Sequence, residues 1–257
     1  MASRRPGVRI PSAPRRTIVD VTSSTGGRTF TDVSFDGADL LDRIGDARGH
    51  LRFVSCSFVG SMADDIDLTG ATFDRCDLTK AKFADSDLVR TTWTDCHGEG
   101  GDFTSADLTD AKFDRCELVN GTFVKAEVAG ATWTHCKLLG SNFSQLSGLG
   151  WTFVSTVLMY GDLHGVQLDG RVLHEVDMTE ADLTGADFSR TVFEDCRMSR
   201  ATWTGARFEG ADLRGADLGP LETLEQIAAL RGAMLSERQA KAVVNALGIS
   251  VIESAAE

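Results

Sequence analysis

The sequence predicts an all-β solenoid, a tower of square coils with a small helical cap at its C-terminal end. The six cysteines, Cys56, Cys76, Cys96, Cys116, Cys136 and Cys196, all lie whole multiples of twenty residues apart. The two steps without cysteine hold Thr156 and Val176, which are close to it in size. Inside the twenty-residue step runs a step of five. From Phe53 to Leu218, over 34 pentads, every fifth residue is large and apolar except Ala63, Gly98 and Gly148. Two residues before each large one the chain is usually small, as at Ala71, Cys76, Ala81, Ser86 and Ala106. A period of five is neither the 3.6 of a helix nor the 2.0 of a strand. Four pentads make one coil, and the simplest solid with that property has four sides, one pentad each. The large and small residues point in, and the other three of each pentad point out.

Taken from the N-terminus, residues 1–16 carry five arginines and three prolines and read as a disordered basic tail. Residues 17–50 form an extension. Phe30, Phe35 and Leu40 make a short pentad run offset by three residues from the main register, and 41–50 is expected to loop out between it and the tower. Residues 51–220 are the tower. A coil cannot bury its own inward residues, so coils must stack, which also pairs their backbone groups. At sheet-like spacing, 8.5 coils stand about 41 Å tall. Residues 221–257 change grammar. Thr223 with Gln226 and Ser236 with Gln239 are capping-box pairs, and Gly248 sits where a helix should stop. This segment is expected to cap the last coil and, through Leu235, Val243, Leu247 and Ile249, to form a homodimer.

Runs such as Ala181-Asp182-Leu183-Thr184-Gly185 and Ala211-Asp212-Leu213-Arg214-Gly215 resemble the repeated unit of the pentapeptide-repeat family, over roughly residues 51–220. The resemblance implies a right-handed quadrilateral β-helix. It also implies a function. Characterised members resemble duplex DNA in width and charge, bind DNA gyrase or topoisomerase IV, and protect against quinolones or peptide toxins. Members also dimerise through a C-terminal helix.

Composition narrows the classes. The net charge is −12. No run of 18 apolar residues and no secretory h-region is present, so a cytoplasmic location is expected, with no membrane contact and no direct binding to nucleic acid. Stacked cysteines in a line suit neither a disulfide nor a tetrahedral metal site, and small core residues are the simpler reading. His50, His164 and His174 belong to no recognisable catalytic motif. The chain therefore reads as a non-enzyme without cofactor or metal.

What remains is the outer surface. Sorting outward residues by pentad gives the third face (Ala63, Phe83, Phe103) a net charge of −4 and the fourth (Leu68, Leu88, Leu108) −5. The acids just before the central residues, Asp67, Asp87, Asp107, Glu127 and Asp187 on the fourth face and Asp102, Asp162 and Asp182 on the third, form a candidate partner-binding edge. Duplex DNA of the same height would carry about 24 charges, so −9 has the right sign and under half the strength. An ordinary solvated acidic face explains it as well as mimicry does. The stretch 144–176 breaks the repeat rules. Gly148 replaces a large centre, Trp151 and Arg171 fall at small-residue positions, and Tyr160, the one tyrosine, faces out beside Met159. Trp151 is expected to force a bulge or loop. The stretch is either a worn repeat or a recognition patch made of Trp151, Met159, Tyr160 and Arg171. Two functions follow: a DNA mimic that binds a type II topoisomerase such as DNA gyrase, modulating it or protecting it from quinolones or toxins, or a general protein-binding scaffold without that link.

Overall fold

The computed structural model describes residues 21–24, 27–44 and 50–252, and the tail expected over 1–16 lies outside them. The chain is a right-handed quadrilateral β-helix of about nine turns. Each pentad turns one corner. From Ser55 to Gly210 the residue two after each central position adopts a left-handed backbone, as at Asp85 (φ 56°), Lys125 (φ 60°) and Gly185 (φ 67°). That conformation costs a non-glycine residue about 1–2 kcal/mol, and the corner is held by ladder bonds. The Phe83 N–H donates up to the Asp102 carbonyl at 2.7 Å, Asp102 donates down to Ala81 at 2.9 Å, and the corner residue Asp85 donates up to Thr104 at 2.9 Å.

The four sides are not equal. The first face carries a continuous ten-stranded sheet. It begins with β1 (Val21–Ser24) and β2 (Gly27–Thr31), an antiparallel pair. It continues through β3 (His50–Val54), β4 (Thr72–Asp74), β5 (Thr92–Thr94), β7 (Lys112–Asp114), β9 (Thr132–Thr134), β10 (Thr152–Val154), β11 (Val172–His174) and β12 (Val192–Glu194), all parallel. The second face holds two short pairs: β6 (His97–Glu99) with β8 (Glu117–Val119), and β13 (Cys196–Arg197) with β14 (Ala216–Asp217). The third and fourth faces are joined by single bridges such as Asp102↔Thr122 and Asp87↔Asp107.

The first coil is 23 residues long, because Phe30 pairs with Phe53. The extra length is not simply a loop over 41–50. Leu40–Ile44 forms a helical turn, α1, whose Leu40 and Ile44 are buried. Leu40 donates its N–H to Met62, so it serves as the inward centre beneath the small Ala63.

Inside, aromatic rings stack as columns. Phe73 and Trp93 lie 3.7 Å apart and 4° from parallel, and Trp93, Phe113 and Trp133 continue the column at 5.6 and 5.5 Å. Phe103, Phe123 and Phe143 form a second column at 4.8 and 4.7 Å. Parallel in-register strands place identical positions one coil apart, so flat rings meet face to face. The first column loses its alignment at Phe153, which tilts 41° from Trp133.

Trp151 forces neither a bulge nor a loop. Ser147 and Thr152 stay in register with Glu127 and Thr132 below. Gly148 brings no side chain to the fourth side, and Trp151 turns its ring inward, edge-on to Trp133 (88°) and Phe153 (84°), at 2% exposure. The cost appears on the upper edge. Among the described residues no ladder bond joins 146–150 to 166–170, and β10 meets β11 only at Val154↔His174.

At the C-terminal end α2 (Leu224–Ala229) and α3 (Glu237–Ala246) both start in the capping boxes that the sequence predicts. Gln239 closes the tower. Its amide donates to the Leu213 and Ala216 carbonyls at 2.7 Å each, replacing donors that a further coil would supply.

Candidate functional site

All seven aspartates of the candidate edge can be followed from their backbone. The residue before each centre points out beside a tight corner, and an aspartate there folds back on the chain. Its Oδ1 accepts the N–H two residues on: Asp67 from Thr69 (2.9 Å), Asp87 from Val89 (3.2 Å), Asp102 from Thr104 (3.0 Å) and Asp107 from Thr109 (2.9 Å). Asp162, Asp182 and Asp187 do the same for His164, Thr184 and Ser189. Asn142 makes the identical bond to Ser144 at 2.8 Å. The capping role therefore needs a carbonyl-type oxygen and not a charge.

The charge has its own distribution. On the third and fourth faces of coils 61–130 lie nine carboxylates: Asp64, Asp65, Asp67, Asp85, Asp87, Asp102, Asp107, Asp110 and Glu127. Among the described residues none of them makes an ion pair, although Lys82, Arg90 and Lys125 share those faces. The upper part of the same faces differs. Asp169 is paired with Arg190 and Asp187 with Arg207. Asp187 is only 9% exposed. Burial opposes its ionisation, but hydrogen bonds from Arg207 and Ser189 outweigh burial and hold its carboxyl below the usual range. Asp187 is thus a structural ion-pair member; Asp162 and Asp182 make no ion pair among the described residues, and the densest free part of the edge consists of Asp67, Asp87, Asp107, Glu127 and Asp102 with their neighbours. Nine acids against three bases give this part of the edge a net charge of −6. Four coils stand about 19 Å tall, and duplex DNA of that height carries about 11 charges. The match is closer here than over the whole tower.

The cysteine column is explained by a second local bond. Each thiol lies within reach of two carbonyls: Cys96 of Phe73 (3.4 Å) and Thr94 (3.5 Å), Cys116 of Trp93 (3.4 Å) and Asp114 (3.6 Å). Thr156 places its hydroxyl 3.0 and 2.9 Å from the equivalent pair, Trp133 and Val154. The position takes a small side chain, with a donor at Cys56, Cys76, Cys96, Cys116, Cys136, Thr156 and Cys196 and none at Val176 and Ala216. All six thiols are buried and free. Burial pushes Cys196 up to about 11. Burial opposes ionisation of the other five thiols of the column as well. Among the described residues no three His, Cys, Asp or Glu side chains gather to hold a metal, and no helix is long and apolar enough to cross a membrane.

The four residues of the expected recognition patch do not meet on one surface. Trp151 is buried. Arg171, half-buried, begins a first-face pentad, while Tyr160, 55% exposed beside half-buried Met159, ends a second-face pentad. Eleven residues separate them on a twenty-residue coil, so they stand on opposite sides. In the cap, Leu235 and Val243 pack against the tower core, and Leu247 and Ile249 are exposed with Val251 and Ile252.

This fold and surface define a class. Residues 50–123 match a family model described as "pentapeptide repeat region", and 153–219 match one described as "pentapeptide repeats (9 copies)". The chain belongs to the pentapeptide-repeat family. Among solved structures it is similar to QnrB1, described as a plasmid-mediated fluoroquinolone resistance protein. One trypsin-treated form is 27% identical, with a TM-score of 0.69, 79% of this chain covered and 100% of the other. A second trypsin-treated form is 28% identical, with a TM-score of 0.62 and 77% and 99% covered. Full-length QnrB1 is 24% identical, with a TM-score of 0.60 and 86% and 100% covered. The search of curated proteins found no match.

Proposed function

We propose that the chain is a non-enzymatic DNA mimic that sets its acidic edge against the DNA-binding surface of a type II topoisomerase, DNA gyrase, and so modulates the enzyme or protects it from quinolones or toxins. The observation that carries this reading is the set of nine carboxylates on coils 61–130 without an ion pair among the described residues. Charges held by a stiff backbone and left unpaired give a field that a basic surface can read. The similarity to QnrB1, a fluoroquinolone resistance protein, supports the same direction.

Asn142 supplies the test. Asp87→Asn with Asp107→Asn keeps both corner bonds and removes two charges. Wild-type protein is expected to inhibit gyrase supercoiling in a salt-sensitive way, and the double variant to inhibit several-fold less with unchanged unfolding. Absence of inhibition by micromolar wild-type protein would leave the general scaffold reading in its place.

The proposed assembly is a homodimer through the exposed Leu247, Ile249, Val251 and Ile252. Light scattering should give twice the chain mass, and Leu247→Asp with Ile249→Asp should give a monomer. A double variant that stays dimeric would place the contact elsewhere.

A further inference from the structure

The acid column ends in an unusual place. From Leu138 to Gly161 the chain has no Asp, Glu, Lys or Arg, although a quarter of the sequence is charged. Those 24 residues exceed one coil, so they close a charge-free ring round the tower. On the fourth face the bridged column Asp67, Asp87, Asp107 and Glu127 runs straight into this ring at Ser147, whose hydroxyl donates to Glu127 Oε2 at 2.7 Å.

The next residues are pressed onto the coil below. Gly148 has φ +96°, and a Cβ there would fall 2.5 Å from the Ala129 nitrogen and 2.9 Å from its Cα. Only glycine lets the pentad lie this low, and among the described residues its upper edge meets no ladder bond from 166–170. Leu149 follows and is 79% exposed. The equivalent outward position in the other coils reads Thr69, Val89, Thr109, Ala129, Asp169, Ser189 and Glu209. Leu149 is the largest apolar side chain in that column, and it stands at the end of the acids.

We infer that Leu149 is the apolar anchor of the same docking surface as the acid column, and that the partner is a protein whose basic surface carries an apolar recess beside it. The charge complement fixes the basic part and the charge-free ring fixes the apolar part. A free cation or a nucleic acid offers no such pair. This rests on the reading that the acidic edge faces a basic protein surface.

Binding of purified DNA gyrase to wild type, Leu149→Ser, Leu149→Met, and the pair Asp87→Asn with Asp107→Asn, each at low and high salt, tests both. Leu149→Ser should weaken binding about tenfold or more by the same factor at both salts, because burial of an apolar side chain is insensitive to screening. Leu149→Met should bind nearly as wild type. The Asn pair should weaken binding at low salt and flatten the salt dependence. Wild-type binding by Leu149→Ser, with the Asn pair weakened, would overturn the anchor and leave the acidic edge standing. Weak binding by Leu149→Ser, with an Asn pair that behaves as wild type, would overturn the acidic edge and the shared surface with it. No gyrase binding by wild type would overturn both.

Discussion

On the first and second faces Arg115 reaches Asp95 and Asp114, Lys137 reaches Glu117, Arg197 reaches Asp177 and Arg52 reaches Asp74. On the third and fourth faces of coils 61–130, Asp65, Asp85, Asp87 and their neighbours meet no cation among the described residues. The same aspartate position serves both sides, since Asp77 and Asp87 each cap a corner. What differs is whether a stacked base closes on the acid: Arg115 and Lys137 reach Asp95 and Glu117 one coil below, whereas Lys82 under Asp102 and Arg90 under Asp110 make no ion pair among the described residues. The paired side also has the three-residue strands and one aromatic column, and the unpaired side has single bridges and the second aromatic column, Phe103, Phe123 and Phe143. Both sides are held by stacked inward residues; one side ties its carboxylates into ion pairs, and the other leaves them unpaired over coils 61–130 among the described residues.

That contrast can be broken most forcefully in the core. Trp133→Ala, on the first face, should cost about 3–5 kcal/mol by urea unfolding, and Leu108→Ala, on the fourth, about 2–4 kcal/mol. A greater loss from Leu108→Ala would reverse the ranking of the two sides. A smaller effect tests the thiol column. Cys116→Val should lose about 1 kcal/mol, and Cys116→Thr almost none, because threonine keeps the donor as Thr156 does. Thiol reagents should label the native protein slowly and the unfolded protein fast; equal stability of the valine and threonine variants would reduce the column to packing alone. The smallest effect concerns the upper edge. Asp187 has a lowered folded pKa, so its contribution is present above the ordinary aspartate value near ~3.9 and is lost as pH falls through the lower folded value. Arg207→Gln should remove most of this. The two proteins should differ slightly in urea midpoint at pH 6 and converge as pH falls below the lowered folded value, and a gap that persists in strong acid would show that Arg207 acts by packing.

Much of the molecule was legible because its repeat is exact in length. The cysteine spacing gives the coil, the pentad gives the inward set, and Thr223 with Gln226 and Ser236 with Gln239 give the cap helices. The acidic edge was legible as a column but not as a free one. A period assigns a residue to a face; it does not say whether Arg207 reaches Asp187 while Lys125 reaches nothing among the described residues. The charge-free ring was written in the sequence from Leu138 to Gly161, but a repeat register marks residues that break it, such as Trp151, and not a missing class of side chain.

The sequence alone determined the coil length, the faces, the inward columns and the helix starts, because these follow from spacing and from bonds between residues a few positions apart. The tertiary structure alone decided that Trp151 turns inward against Trp133 and Phe153, that Leu40–Ile44 turns as a helix, that Asp187 is paired, and that Leu149 stands clear of the tower. Each of those depends on the space and the partners that one coil leaves to the next, and neither is set by residues close in the chain.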